Sequence, residues 1–135
     1  MPVADTEVLF ALSPRDPKHP QVLKLLKGQA DVIAPDTAML EFQIALKARG
    51  KKPAEVKAAI LALREALAHF NVEEMKTMDS GLLALQCELE EKHELSYFDG
   101  LIAASALTLD RKLISNDEAF DRVPGLERLP LSTSR

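Results

Sequence analysis

Apolar residues follow two patterns that alternate along this chain. Longer segments carry apolar residues three or four positions apart, which is the spacing of one helix face, and short apolar runs between them are typical of buried strands. The pattern predicts helices over Thr6–Leu12, Pro17–Gly28, Pro35–Ala48, Ala54–Phe70 and Ser80–His93, and strands over Pro2–Asp5, Asp31–Ala34, Asn71–Met75 and Leu113–Ser115. A turn or short helix over Asp117–Val123 and a last strand before Leu131 complete the prediction.

The segment from Leu95 to Leu107 differs from the other helices. Ser96 stands where an N-cap is expected, and the stretch from Leu101 to Leu109 carries no charged residue. A helix on the surface of a protein would show one charged face, so this helix is predicted to be packed on two sides.

Strands that alternate with helices predict an α/β fold with a mostly parallel sheet covered on both faces. The 135 residues are enough for one domain with a core of its own. We expect that domain to span residues 1–131 and the tail, Ser132–Arg135, to be frayed.

Charge and composition narrow the function. The formal net charge is −4, which argues against tight nonspecific binding of nucleic acid but leaves room for phosphate contact through a metal. No apolar run is long enough to cross a membrane and no signal peptide is visible, so a cytoplasmic location is expected. The single cysteine, Cys87, cannot form an internal disulfide and is expected to be buried.

Four carboxylates stand at the ends of otherwise apolar elements. Asp5 and Asp117 follow predicted strands, Glu41 lies about one turn into a helix, and Asp99 lies in the first turn of the central helix. If the first and fourth strands are neighbours, all four meet at one edge of the sheet, where sites of open α/β sheets form. No Lys or Arg stands beside them in the sequence, so together they would repel one another unless a hard cation lay between them.

Each carboxylate also has a simpler explanation. Asp99 can complete a capping box with Ser96, Asp117 can cap the turn before Phe120, and Asp5 can begin a loop. Glu41 is harder to explain in this way, because an acidic side chain in an apolar stripe needs a partner.

The motifs resemble those of a known family, the PIN domain. The matching segments are Asp5-Thr6-x-Val8-Leu9, the mid-chain Glu41, the Ser96-x-x-Asp99-x-Leu101-Ile102-Ala103-Ala104 helix and Ser115-x-Asp117-x-x-Phe120. The resemblance implies a three-layer α/β/α sandwich and an Mg²⁺- or Mn²⁺-dependent ribonuclease. It implies an acidic quartet that holds the metal and performs catalysis, with Ser115 as a supporting hydroxyl; the quartet is Asp5, Glu41, Asp99 and Asp117. Many small members resemble VapC-type toxins, which a partner antitoxin neutralises.

One position departs from the family pattern. Glu7 stands where the family commonly has Asn. Its side chain would either enlarge the metal site or point into solvent, and we expect it to point into solvent. Arg49, Lys51 and Lys52 follow the helix of Glu41, where they either touch RNA backbone or form a solvated loop.

Three functions are open at this stage. The first is an endoribonuclease, which the presence of all four acidic positions favours over the second, a non-catalytic PIN-like module that binds RNA or a protein. The third, a phosphotransfer enzyme with an Asp cluster, would require a lysine beside the strand ends, and the sequence indicates none. A homodimer is also expected, because the helices over Val22–Leu26 and Val56–Leu67 are rich in apolar surface.

Overall fold

The computed structural model describes residues 1–131, so the tail that was predicted to be frayed lies outside the described residues. Five strands and six helices alternate as the hydrophobic pattern predicts. They are β1 (Val3–Ala4), α1 (Thr6–Phe10), α2 (His19–Gly28), β2 (Ile33–Pro35), α3 (Asp36–Ala48), α4 (Pro53–His69), β3 (Glu73–Met75), α5 (Ser80–His93), α6 (Tyr97–Leu107), β4 (Lys112–Ile114) and β5 (Glu127–Leu129). A short 3₁₀ helix, Glu118–Arg122, joins β4 to β5.

All five strands run parallel, in the order β3-β2-β1-β4-β5. The prediction of a three-layer α/β/α sandwich is confirmed. The first and fourth strands are neighbours, with Val3 opposite Leu113 and Ala4 opposite Ile114. The chain moves outward from β1 to β3 on one side and from β4 to β5 on the other. The junction of β1 and β4 is therefore the topological switch point, where such sheets place their sites.

Helix α6 is buried along most of its length, which confirms the prediction that it is packed on two sides. Every residue from Gly100 to Ala106 is buried, and the helix packs against α5, α3 and β4. Such a helix holds its first turn, with Asp99, in a fixed place relative to the sheet.

The apolar stripes of α2 and α4 belong to the core and do not form a free surface. Val22, Val56, Leu63 and Leu67 are all buried. The two helices therefore offer much less apolar surface to a second copy of the chain than their sequences suggest.

Cys87 is exposed, so the expectation of a buried thiol is wrong. The buried residues of α5 are Leu82, Gln86 and Leu89. One residue advances a helix by about 100°, so Cys87 is turned away from the stripe that contains Gln86. Within residues 1–131, no helix combines the length and apolar character needed to cross a membrane.

Candidate active site

The predicted quartet meets at the switch point of the sheet. Asp5 is the N-cap of α1 directly after β1, and Asp117 follows β4. Glu41 comes from the second turn of α3 and Asp99 from the first turn of α6. All four line one open cleft with a volume of about 520 Å³.

Asp5 is the most deeply buried of the four carboxylates, at 7% exposed. Its Oδ1 accepts a hydrogen bond from the Thr6 backbone N–H (2.7 Å), and its Oδ2 accepts one from Ser115 Oγ (2.6 Å). Burial raises the pKa of Asp5 to about 7 in spite of these hydrogen bonds, and the charges of Glu7 and Asp99 act in the same direction. Asp5 therefore changes its protonation state near neutral pH.

Ser115 connects the carboxylates around it. Its fully buried hydroxyl lies 2.6 Å from Asp5 Oδ2 and 2.9 Å from Glu7 Oε2, and it accepts a hydrogen bond from the Asp117 backbone N–H (3.0 Å). A hydroxyl carries one proton, so it donates to only one carboxylate at a time. When Asp5 is protonated, it can donate to Ser115 while Ser115 donates to Glu7, and every contact of the hydroxyl is then satisfied.

Asp99 is half-buried and lies among other acidic groups. Burial raises its pKa, and repulsion from Asp117 and Glu41 raises it further, while Ser96 and Arg122 act in the opposite direction. Ser96 does cap the helix, since its Oγ accepts a hydrogen bond from the Asp99 backbone N–H (3.3 Å). Repulsion by two other carboxylates is nevertheless not a property of a cap.

Glu41 and Asp117 each have one identified hydrogen-bond donor. Glu41 Oε1 accepts a hydrogen bond from Thr6 Oγ1, which ties α3 to the start of α1. Asp117 Oδ1 accepts one from the Ala119 backbone N–H (2.9 Å), so Asp117 caps the 3₁₀ helix and also lines the cleft.

Glu7 lies inside the cleft, and the expectation that it points into solvent is wrong. Its carboxylate accepts hydrogen bonds from Lys18 Nζ (2.8 Å) and the Asn116 backbone N–H (2.8 Å), and its Oε2 lies 2.9 Å from Ser115 Oγ. Burial alone would raise the pKa of Glu7, but these donors outweigh it and hold the pKa below its usual value. The sequence carried no sign of this arrangement, because two of the donors lie more than 100 residues away along the chain.

Two cations line the cleft, Lys18 and Arg49. The Arg49 guanidinium carbon lies 4.6 Å from the centre of the Phe10 ring, at the end of α3. Lys51 and Lys52 are exposed and do not line the cleft, so of the three predicted basic contacts only Arg49 is brought to it. Lys18 was missed because the turns that carry it to the site have no sequence pattern that identifies them.

The carboxylate side chains of the cleft are the kind of ligand that Mg²⁺ or Mn²⁺ requires. Carboxylate oxygens are the preferred ligands of these hard ions, and the mutual repulsion of Asp5, Asp99 and Asp117 is what a cation would relieve. Within residues 1–131, no three such side chains are arranged to hold a metal as they stand. Asp99 is half-buried and Asp117 is exposed, and both line the open cleft.

Comparison with models of protein families shows which family the chain belongs to. The family model of the PIN domain matches residues 3–126, which is most of the chain. The chain belongs to the PIN domain family. The matched range includes the whole acidic quartet, Ser115 and both cations of the cleft. A comparison with curated proteins finds no match in sequence.

Solved structures with the same PIN fold include three bacterial proteins. VapBC2 from Rickettsia felis, bound to a DNA fragment from its promoter, superposes with a TM-score of 0.68 at 19% identity, covering 95% of this chain and 96% of that one. VapC20 from Mycobacterium tuberculosis, a Sarcin-Ricin loop cleaving toxin, gives a TM-score of 0.69 at 16% identity over 90% and 93% of the two chains. FitAcB from Neisseria gonorrhoeae superposes with a TM-score of 0.67 at 16% identity, covering 97% of this chain and 98% of that one. At these identities the likeness establishes the fold and nothing finer.

Proposed function

We propose that this PIN domain is an Mg²⁺- or Mn²⁺-dependent endoribonuclease that hydrolyses RNA phosphodiester bonds. The observation that supports this most directly is the meeting of Asp5, Glu41, Asp99 and Asp117 in one open cleft. The pKa values of two of these carboxylates, Asp5 and Asp99, are raised, and carboxylates with perturbed pKa values in a cleft are typical of catalytic sites. The cleavage of the Sarcin-Ricin loop by the VapC20 toxin supports RNA as the substrate class.

Each side chain of the quartet has a role in this proposal. Asp5, Asp99 and Asp117 would be the principal metal ligands, and Glu41 would ligate directly or through water and would assist removal of a proton from the attacking water. A bound Mg²⁺ or Mn²⁺ supplies positive charge to the phosphodiester and lowers the pKa of a coordinated water. Ser115 fixes Asp5 through its 2.6 Å hydrogen bond. We also propose a cytoplasmic location, where a ribonuclease of this kind would meet cellular RNA.

Cleavage of single-stranded RNA by the purified protein tests this proposal. We expect cleavage with Mg²⁺ or Mn²⁺, none with EDTA, and none from Asp117→Asn prepared in parallel to exclude a contaminating nuclease. An equal rate from Asp117→Asn would contradict the enzymatic function. RNA binding without cleavage under every metal condition would favour the non-catalytic PIN-like module.

We further propose that the protein is a toxin held by an antitoxin. A groove of about 680 Å³ lies beside the cleft and shares Phe10 and Arg49 with it. Its lining is mainly apolar, and the apolar residues that reach the surface there are Phe10, Pro14, Ala59, Ala62 and Ala66. An apolar segment of an antitoxin in this groove would lie next to the active site. The toxin–antitoxin complex from Klebsiella pneumoniae, which has the same fold, supports such a partner.

Growth of a bacterial host tests the toxin proposal. Expression of the wild type should arrest growth, expression of Asp117→Asn should not, and the product of a short upstream reading frame should relieve the arrest. Normal growth with the soluble wild-type protein would contradict a toxin role.

We also propose a homodimer, which would form through α3 and not through α2 and α4 as the sequence predicts. Leu40 and Ile44 are exposed one turn apart on α3, and Met78 is exposed close to the start of that helix. Burial of these side chains against a second copy would remove apolar surface from water. A sedimentation mass of one chain at micromolar concentration would contradict the dimer.

A further inference from the structure

Lys18 is a cation of the cleft that the acidic quartet does not explain. It lies just before α2, outside the elements that carry the quartet, and its Nζ is 2.8 Å from Glu7 Oε1. Its side chain lines the same cleft as Asp5, Glu41 and Asp99. A positive charge is thereby brought to the edge of a site that is otherwise dominated by carboxylates.

The backbone around Lys18 is fixed on both sides. The Lys18 N–H donates to Asp16 Oδ1 (2.8 Å), and the His19 N–H donates to the Asp16 carbonyl (3.0 Å). The imidazole of His19 contacts the Ala11 carbonyl through Nδ1 (2.8 Å), which ties the start of α2 to the end of α1. Lys18 is therefore held toward the cleft before any substrate arrives.

The ammonium of Lys18 can still donate hydrogen bonds to another group after it has paired with Glu7. An ammonium has three N–H donors, and the single contact with Glu7 leaves two of them for another acceptor. The Lys18 side chain is 46% exposed, so this remaining capacity faces open solvent in the cleft. The hydrogen bond to Glu7 and the charge of that carboxylate raise the pKa of Lys18, which keeps it protonated.

Both carboxylate oxygens of Glu7 already have partners within the protein. One of its oxygens contacts Lys18, and the other contacts Ser115 and the Asn116 backbone. Glu7 therefore serves to hold a cation beside the quartet, at the position where the sequence departs from the family pattern.

We propose that Lys18 binds a backbone phosphate of the RNA substrate next to the acidic quartet, with Glu7 holding its ammonium in place. The inference rests on the proposed ribonuclease function and adds a substrate contact to it. Exposed Lys51 and Lys52, outside the cleft, have no comparable position.

Binding of a single-stranded RNA with cleavage-resistant phosphorothioate linkages, in Mg²⁺ and at several salt concentrations, tests this assignment. Lys18→Ala should bind several-fold more weakly, and its log–log salt slope should be smaller by about 0.7, the value for one phosphate contact on a single strand. Lys18→Arg should recover most of the affinity. Lys24→Ala is the matched control, because it removes an exposed lysine of the adjacent helix α2 that does not line the cleft, and it should bind like the wild type.

Steady-state cleavage of ordinary RNA separates the two proposals. If the wild type cleaves, Lys18→Ala should raise KM much more than it lowers kcat, with an unchanged melting temperature. Cleavage by the wild type with identical RNA affinity, salt slope and KM in Lys18→Ala would overturn the role of Lys18 and leave the ribonuclease standing. A wild-type protein that neither cleaves nor binds RNA with any divalent ion would overturn the ribonuclease and this inference with it.

Discussion

Asp36 and Asp99 are two aspartates in the same structural position with opposite surroundings. Each is half-buried in the first turn of a helix at the carboxyl edge of the sheet. Asp36 accepts hydrogen bonds from the Thr77 N–H (3.0 Å), the Thr77 hydroxyl (2.8 Å) and the Met78 N–H (3.1 Å). Asp99 instead faces Asp117 and Glu41, whose charges raise its pKa.

The difference separates an acid with structural contacts from one that we propose to be functional. Three donors stabilise the charge of Asp36, and that carboxylate ties the segment after β3 to the start of α3. The surroundings of Asp99 disfavour its charge, which a bound cation would stabilise. What distinguishes the two residues is the balance of donors and like charges around each carboxylate, which a position in the sequence does not reveal.

The largest expected effect is on cleavage. Asp99→Asn should reduce RNA cleavage by about 100-fold or more, because removing a group that stabilises charge in the transition state costs several kcal/mol. Asp36→Asn makes the same chemical change at the matched position and should keep most of the activity. Both rates are measured on RNA in Mn²⁺, and equal losses would mean that the two aspartates do not differ in function.

The next effect is the pH dependence of stability through Asp5. Its folded pKa of about 7 lies above its ordinary value of 3.8, so its contribution to stability is complete below the unfolded pKa and is lost as pH rises through the folded pKa. Relative to Asp5→Asn, the free energy of unfolding of the metal-free wild type should fall by about 2 kcal/mol between about pH 5 and pH 7.5. Chemical denaturation in EDTA measures this, and parallel pH profiles of the two proteins would refute it.

A smaller effect is expected at Asp36. Asp36→Ala leaves three donors of Thr77 and Met78 without their acceptor, and should lower the free energy of unfolding by about 1–2 kcal/mol. Thermal melting in EDTA measures the change. Asp99→Ala serves as the control, since it removes the same atoms from a carboxylate that is surrounded by like charges. If Asp99→Ala lowered the free energy of unfolding as much as Asp36→Ala, the two carboxylates would not differ in their contribution to stability.

The fold and the quartet were predictable because each depends on local patterns. Short apolar runs between helical stripes led to a parallel sheet, and once β1 and β4 are neighbours the ends of these strands bring Asp5 and Asp117 together. The uncharged stretch after Asp99 likewise identified a helix packed on both sides. The PIN family match confirms that the motifs were assigned to the correct family.

The rest of the site depends on contacts that no local pattern contains. Glu7 and Lys18 meet because the turns between α1 and α2 fold back on the cleft, and short-range periodicity carries no information about such turns. The same limit explains Asp36, whose donors lie 41 and 42 residues further along the chain. Cys87 was misjudged for a simpler reason, since one step around a helix separates a buried from an exposed face.

The melting temperatures of the wild type and Asp99→Asn, in EDTA and then in excess Mn²⁺, test the central claim most directly. The raised pKa of Asp99 means that its contribution to stability is lost as pH rises through the folded pKa, so at about pH 7 in EDTA the Asn variant should melt higher. Mn²⁺ should reverse the order, because the wild type binds the ion with its full set of ligands and gains more stability from it. If Asn melts lower in EDTA and Mn²⁺ shifts neither protein, Asp99 is only a helix cap and the cleft is not a metal site.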